Sequence, residues 1–174
     1  MKLERLNTFY FLTMLVATLM LLSSCATNRP SSSHSSTDTY RSGQNNAAKH
    51  KGLSIAQIAQ SMVGVSYRYG GSNPDEGFDC SGLVYYSHTQ VGEQVPRVSY
   101  AQLAASDEVS ESELKPGDLL FYRINGKPSH VGIYIGQGQF VHAPSSGKKV
   151  SISSMSNVYF KPRLIRAGRL YTED

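Results

Sequence analysis

The sequence holds two cysteines, Cys25 and Cys80, and the second sits where a thiol can be made reactive. Asp79 is a helix-capping residue type, and Cys80-Ser81-Gly82-Leu83-Val84 reads as the first turn of the helix it caps. Unpaired N–H groups and the helix dipole at that position favour negative charge, so the spacing predicts a lowered thiol pKa and an available thiolate. Ser81 and Gly82 are small and leave the backbone beside the sulfur open to a substrate carbonyl. A nucleophilic thiol needs a base. His130 and His142 flank Gly136-Gln137-Gly138, and a hairpin turn centred on Gln137 puts Gly132 opposite His142, with His130 diagonally beside it on the same face. The two imidazoles then meet, with Gly132 leaving space between them. His130 is the natural base for the Cys80 proton, and His142 the residue that holds the His130 ring in its productive tautomer. Taken singly, each histidine is more simply a half-buried polar filler, and a free cysteine more often a small hydrophobe; two histidines on one face beside a glycine favour the chemical reading. His88, His130 and His142 are too scattered for a metal site, and no carboxylate joins them at helical spacing, so neither metal nor other cofactor is expected.

Positioning these residues requires helices first and strands second. Ser54 can cap a helix whose apolar residues Ile55, Ile58, Ala59 and Met62 follow helical spacing, with Gly64 ending it. Turn formers from Tyr67 to Gly77 read as a surface loop. The Cys80 helix extends to about Thr89, with Gly92 beyond it, and a short helix is predicted from Tyr100 to Ala105 with Ser99 as its cap. After Lys115-Pro116-Gly117 the period changes to two. Strands are predicted at Leu119 to Arg123, Ser129 to Ile135, Gln139 to Ala143, Val150 to Ser153 and Leu164 to Ala167, with Asn125-Gly126 as a tight hairpin turn and Asp118 as a strand-start cap. The class is α+β, with N-terminal helices packed on an antiparallel sheet.

The N-terminus has Lys2 and Arg5, an apolar run from Phe9 to Leu22, and then Leu22-Ser23-Ser24-Cys25. This resembles a bacterial lipoprotein signal, and the run is shorter than the ~20 apolar residues that span a bilayer. Residues 1–24 are therefore expected to be a signal peptide and Cys25 to be lipidated, which makes the membrane a partner. Ala26 stands where an aspartate would retain an inner-membrane lipoprotein, pointing to the outer membrane and the periplasm. Residues 25–50 are rich in Ser, Thr, Asn and Gly and read as a tether; the domain is expected over 51–174. With Cys25 consumed by lipid, Cys80 has no disulfide partner, an arrangement an oxidising compartment tolerates when the thiol is buried or chemically used. The net charge of +4 is too small to argue for a basic nucleic-acid face, and a monomer is expected.

Five ordered motifs carry a family resemblance: Tyr67-Arg68-Tyr69-Gly70-Gly71; Phe78-Asp79-Cys80-Ser81-Gly82-Leu83-Val84; Pro116-Gly117-Asp118-Leu119-Leu120-Phe121; His130-Val131-Gly132-Ile133-Tyr134-Ile135-Gly136; and Val141-His142-Ala143. From about Leu53 onward the chain resembles the NlpC-type cell-wall cysteine peptidases, a papain-like branch of hydrolases. The resemblance implies Cys80 as nucleophile, His130 as base and His142 as the orienting residue. It further implies that Tyr67, near the oxyanion region, helps position the substrate or stabilise the tetrahedral intermediate, whereas the residues alone show only a tyrosine before a glycine-rich loop. Asp79 is first an N-cap, which the resemblance also lets touch the amine end of a stem peptide; Ser81 bonds locally or lines the groove. The implied substrate is the peptidoglycan stem peptide, cut through a thioester. The reading leans to the D-alanyl to diaminopimelate crosslink in wall remodelling; its alternatives are the γ-D-glutamyl to diaminopimelate bond and a noncatalytic stem-peptide-binding lipoprotein.

Overall fold

A computed structural model describes residues 51–172. The signal peptide, Cys25 and the tether expected over residues 1–50 lie outside the described residues. Helix α1 covers residues 51–61 and drives Ile55, Ala56 and Ala59 into the core. Ser54 lies inside that helix rather than capping it, because helical backbone is already present at residue 51. The Gly64 N–H donates to the Val150 carbonyl (2.9 Å), which turns the chain toward the sheet.

Within the expected surface loop, β1 (Ser72–Asn73) and β2 (Gly77–Phe78) form a small antiparallel hairpin. Two-residue strands leave no periodic signal to read, yet this hairpin buries Phe78 fully. Helix α2 spans Cys80–Thr89, and the Asp79 carboxylate accepts the Gly82 N–H (2.7 Å), as its capping role requires. On its buried face His88 donates from Nδ1 to the Val84 carbonyl (2.9 Å), and burial lowers its pKa to about 4. Helix α3 runs Ser99–Ala105; its N-cap is Val98, whose extended backbone makes Ser99 the first helical residue and not the cap. Gln102 fastens α3 to α2 by donating from Nε2 to the carbonyls of Ser81 (3.0 Å) and Pro96 (2.8 Å).

The remaining strands are β3 (Asp107–Val109), β4 (Leu119–Ile124), β5 (Lys127–Gly136), β6 (Gln139–His142), β7 (Ser151–Ser154) and β8 (Leu164–Arg169). They form one antiparallel sheet in the order β3-β8-β4-β5-β6-β7. Asn125 and Gly126 both have positive φ (51° and 78°), the backbone a two-residue β4–β5 hairpin needs. Alternation along β4 divides the core: Leu119 and Phe121 join Ile55, Leu83 and Val131, whereas Leu120 and Tyr122 pack with Phe140 and Phe160 on the other face. β3, a three-residue edge strand with two exposed side chains, has no alternation to announce it in the sequence.

Between β5 and β6, Ile133 pairs with Val141 and Tyr134 with Phe140, so continuing the register sets Gly132 across from His142. The glycine serves a different neighbour than expected. A Cβ at residue 132 would collide with the Phe140 ring, so Gly132 makes room for that aromatic and not for the histidines. Asp118 is likewise more than a strand cap. It accepts the Lys115 N–H (2.8 Å) and is fully buried against Arg169, whose Nε and Nη2 lie 2.7 and 2.9 Å from its two oxygens. That ion pair ties the start of β4 to the end of β8.

Candidate active site

Cys80 opens α2 and is half-buried, its Sγ donating toward the Ser129 carbonyl at 3.7 Å. Burial pushes the thiol pKa up and the Asp79 charge adds to this, while N–H groups of Val131, Ser81 and Cys80 itself pull it down without prevailing. The expectation of a lowered thiol pKa is therefore corrected: desolvation at this site outweighs the helix terminus.

Pairing across β4 sets His130 opposite Tyr122, and the β5–β6 register brings its ring to His142. The His130 Nε2 and His142 Nδ1 atoms share a hydrogen bond of 3.0 Å, with the rings nearly perpendicular (85°). His142 Nε2 in turn lies 2.9 Å from Ser153 Oγ on β7. Phe160 stacks on His130 and meets His142 edge-on. Burial lowers His130 to about 4; burial, then the nearby His130 and Lys148, lower His142 to about 3. Both rings are neutral at neutral pH.

Neutral rings restrict where the protons can lie. For His130 to offer an unprotonated Nδ1, its Nε2–H must donate to His142 Nδ1, and His142 must then donate from Nε2 to Ser153 Oγ. The reversed chain, with Ser153 donating, protonates His130 Nδ1 and removes it as a base. Ser153 thus takes part in setting the tautomer. The only trace of it in the sequence is the alternation of Ser151 and Ser153 on the strand beside His142.

Tyr67, Cys80, His130, His142, Ser153 and Phe160 all line one cavity of about 550 Å³. Tyr67 is half-buried there, and burial and then the neighbouring Cys80 raise its pKa. Asp79 and Ser81 do not line that cavity; Asp79 caps the helix and Ser81 bonds locally to it, as their simpler readings expect. Both belong to a clamp centred on Arg97. Arg97 donates to both Asp79 oxygens (3.0 Å each), to Ser81 Oγ (3.1 Å) and to the Gly71 carbonyl (2.9 Å). The Asp79 carboxylate also accepts the N–H groups of Gly70 (2.9 Å) and Gly82 (2.7 Å). Burial raises its pKa, but Arg97 and these N–H groups together hold it below the ordinary carboxylate value. Gly82 lets the helix seat itself here, because a Cβ would collide with the Gly71 carbonyl. Arg97 escaped the sequence reading, since nothing local ties it to a residue so far back in the chain. Among the described residues no cluster of three His, Cys, Asp or Glu stands ready to hold a metal ion.

The chain is similar to murein DD-endopeptidase MepH of Escherichia coli K12, at 40% identity over 64% of this chain and 43% of the relative. It is also similar to the gamma-DL-glutamyl hydrolase of Bacillus subtilis 168, at 42% identity over 63% of this chain and 27% of the relative. The chain thus spans less than half the length of either curated relative. Among solved structures, an NLP/P60 family protein similar to lipoprotein from Staphylococcus aureus Mu50 superposes with a TM-score of 0.64 and 32% identity, over 71% of this chain and 42% of that one. That likeness extends to the papain-like α+β fold. Residues 64–169 match the NlpC/P60 family, and the chain belongs to it.

Proposed function

We propose that this protein is a cysteine endopeptidase that hydrolyses peptidoglycan stem peptides, with Cys80 as nucleophile, His130 as base, His142 as the residue that orients it, and Tyr67 at the oxyanion. The observation that carries the reading is the convergence of these four side chains on one cavity, with the two histidines already joined. Cys80 Sγ attacks the scissile carbonyl as its proton passes to His130 Nδ1, and His142 Nδ1 accepts from the resulting imidazolium. The Cys80 N–H and the Tyr67 hydroxyl are the donors available to the tetrahedral oxyanion. Collapse breaks the C–N bond, the amine leaves with the His130 proton, and a thioester remains. Water, deprotonated by His130, then releases the carboxylate and restores the thiol.

Between the two wall bonds, the reading takes the D-alanyl to diaminopimelate crosslink. The similarity to a murein DD-endopeptidase favours it. The similarity to a gamma-DL-glutamyl hydrolase keeps the γ-D-glutamyl bond as the second reading. The sequence Leu22-Ser23-Ser24-Cys25 supports an anchor through lipidated Cys25, with the domain held at the outer membrane on the periplasmic side.

Digestion of defined muropeptides with readout by mass spectrometry tests the reading. Crosslinked dimers should fall to monomers while an all-L peptide of similar length stays intact, with Cys80→Ala as the blank. Cleavage of the all-L control at a comparable rate would overturn the wall specificity.

The pH dependence follows from the site's neutral resting pair. His130 acts as base only when unprotonated, and burial lowers its pKa to about 4; the thiol is pushed up. Acidification should therefore leave kcat/KM level through pH 6 and halve it only near pH 4, and the alkaline fall should lie above the ordinary thiol range. An acid limb near the ordinary histidine value of about 6.5 would show that His130 is not the desolvated base described.

A further inference from the structure

The cavity beside Cys80 is lined by one side chain that carries a charge at neutral pH, Lys148, and by no aspartate or glutamate. Both histidines there are neutral. Lys148 has no ion-pair partner among the described residues. Its backbone, by contrast, is tightly held. The Lys148 N–H donates to the Ser145 carbonyl (3.1 Å), and the Lys148 carbonyl accepts the Tyr67 N–H (2.8 Å). Next to it Lys149 forms a bridge with Ser66, and the Val150 N–H donates to the Val65 carbonyl (2.8 Å). The residue that carries the cation is thus held by its main chain beside Tyr67, and its ammonium is close enough to His142 to disfavour a charge there. Ser145, Ser151 and Asn157 line the same cavity and offer further hydrogen bonds.

We propose that Lys148 forms an anion subsite that holds a free carboxylate of the stem peptide while Cys80 attacks. The assignment rests on the stem-peptide reading above. A D-glutamyl residue linked through its γ-carboxyl leaves its α-carboxylate outside the main chain, and diaminopimelate linked through one carboxyl keeps another. The diaminopimelate carboxylate lies beside the D-alanyl crosslink, and the D-glutamyl carboxylate beside the γ-D-glutamyl bond, so each wall bond has an anion near its scissile amide. Lysine suits this task because its ammonium is a point charge on a flexible stem and does not demand the two-pronged geometry of a guanidinium. An uncharged peptide leaves the ammonium without a partner, so the subsite contributes to selection as well as affinity.

The test uses three versions of one stem-peptide substrate: with free carboxylates, with the D-glutamyl α-carboxylate amidated, and with the diaminopimelate carboxylate amidated. Wild type, Lys148→Gln and Lys148→Arg are compared. Lys148→Gln should raise KM for the free-carboxylate substrate by about tenfold with kcat little changed, as expected for loss of a charge-assisted hydrogen bond. Wild type should lose the same factor on one amidated form, which identifies the carboxylate held. Lys148→Gln should not distinguish that form from its parent, and Lys148→Arg should keep most of the discrimination. If wild type cuts the substrate but Lys148→Gln matches its KM, or still discriminates against the amidated forms, the subsite is wrong and the endopeptidase reading stands. If wild type cuts none of the three, both fall together.

Discussion

Replacing His130 with alanine is expected to lower kcat/KM on a stem peptide by about 10⁴-fold, because the thiol then loses its base. Cys80→Ala should leave no turnover at all. The size of the His130 effect follows from the raised thiol pKa: a nucleophile that is not a thiolate at rest depends on proton transfer during attack. His142→Ala should cost less, about a hundredfold, since it removes the partner that orients the base and leaves the base itself. His130 stands among Tyr122, Phe160 and His142, so its truncation also disturbs packing. His130→Gln fills much of that volume, keeps an N–H for His142 and cannot act as the base, so it should be as inactive as alanine with a wild-type melting curve. Wild-type turnover in either His130 variant would exclude it as the base.

The second large effect concerns stability at the far end of β4. Asp118→Ala removes the partner of Arg169 from a site where the carboxylate is fully buried, and breaking a buried ion pair in this way costs about 3–5 kcal/mol. The melting temperature should fall by on the order of 10 °C. Removing both charges together, as Asp118→Leu with Arg169→Met, should recover much of the loss because no unpaired charge is left buried. The folded fraction of Asp118→Ala should keep wild-type kinetics, since the residue after Asp118 pairs with Ile133 and not with His130. A single variant that melts like wild type would show that the pair contributes nothing net.

Periodicity and turn chemistry made the frame legible. The Asn125-Gly126 hairpin, the turn at Gln137 and the Asp79 cap each have a local signature, and together they were enough to set two histidines on one face and a cysteine at a helix start. What stayed hidden depends on partners distant in sequence. Arg97 reaches back to Asp79, Arg169 to Asp118, and Phe160 covers both histidines from an irregular stretch after β7. None of these pairings follows from a period. The direction of the thiol shift is hidden for a related reason: a helix terminus is visible in sequence, whereas the depth of burial is a property of the whole fold.

Ser153, which shares a hydrogen bond with His142, belongs to β7, and β7 is an edge strand of the sheet. Val150 just before it bonds to Val65, but from Ser151 to Ser154 its main chain is laddered to β6 alone, so the half that holds Ser153 is among the first parts of the sheet to fray as temperature rises. Fraying there would take away the hydrogen-bond partner of His142 Nε2 while the helices and the central strands remain intact. Heat would then silence the protein before it melts it, and the loss would reverse on cooling.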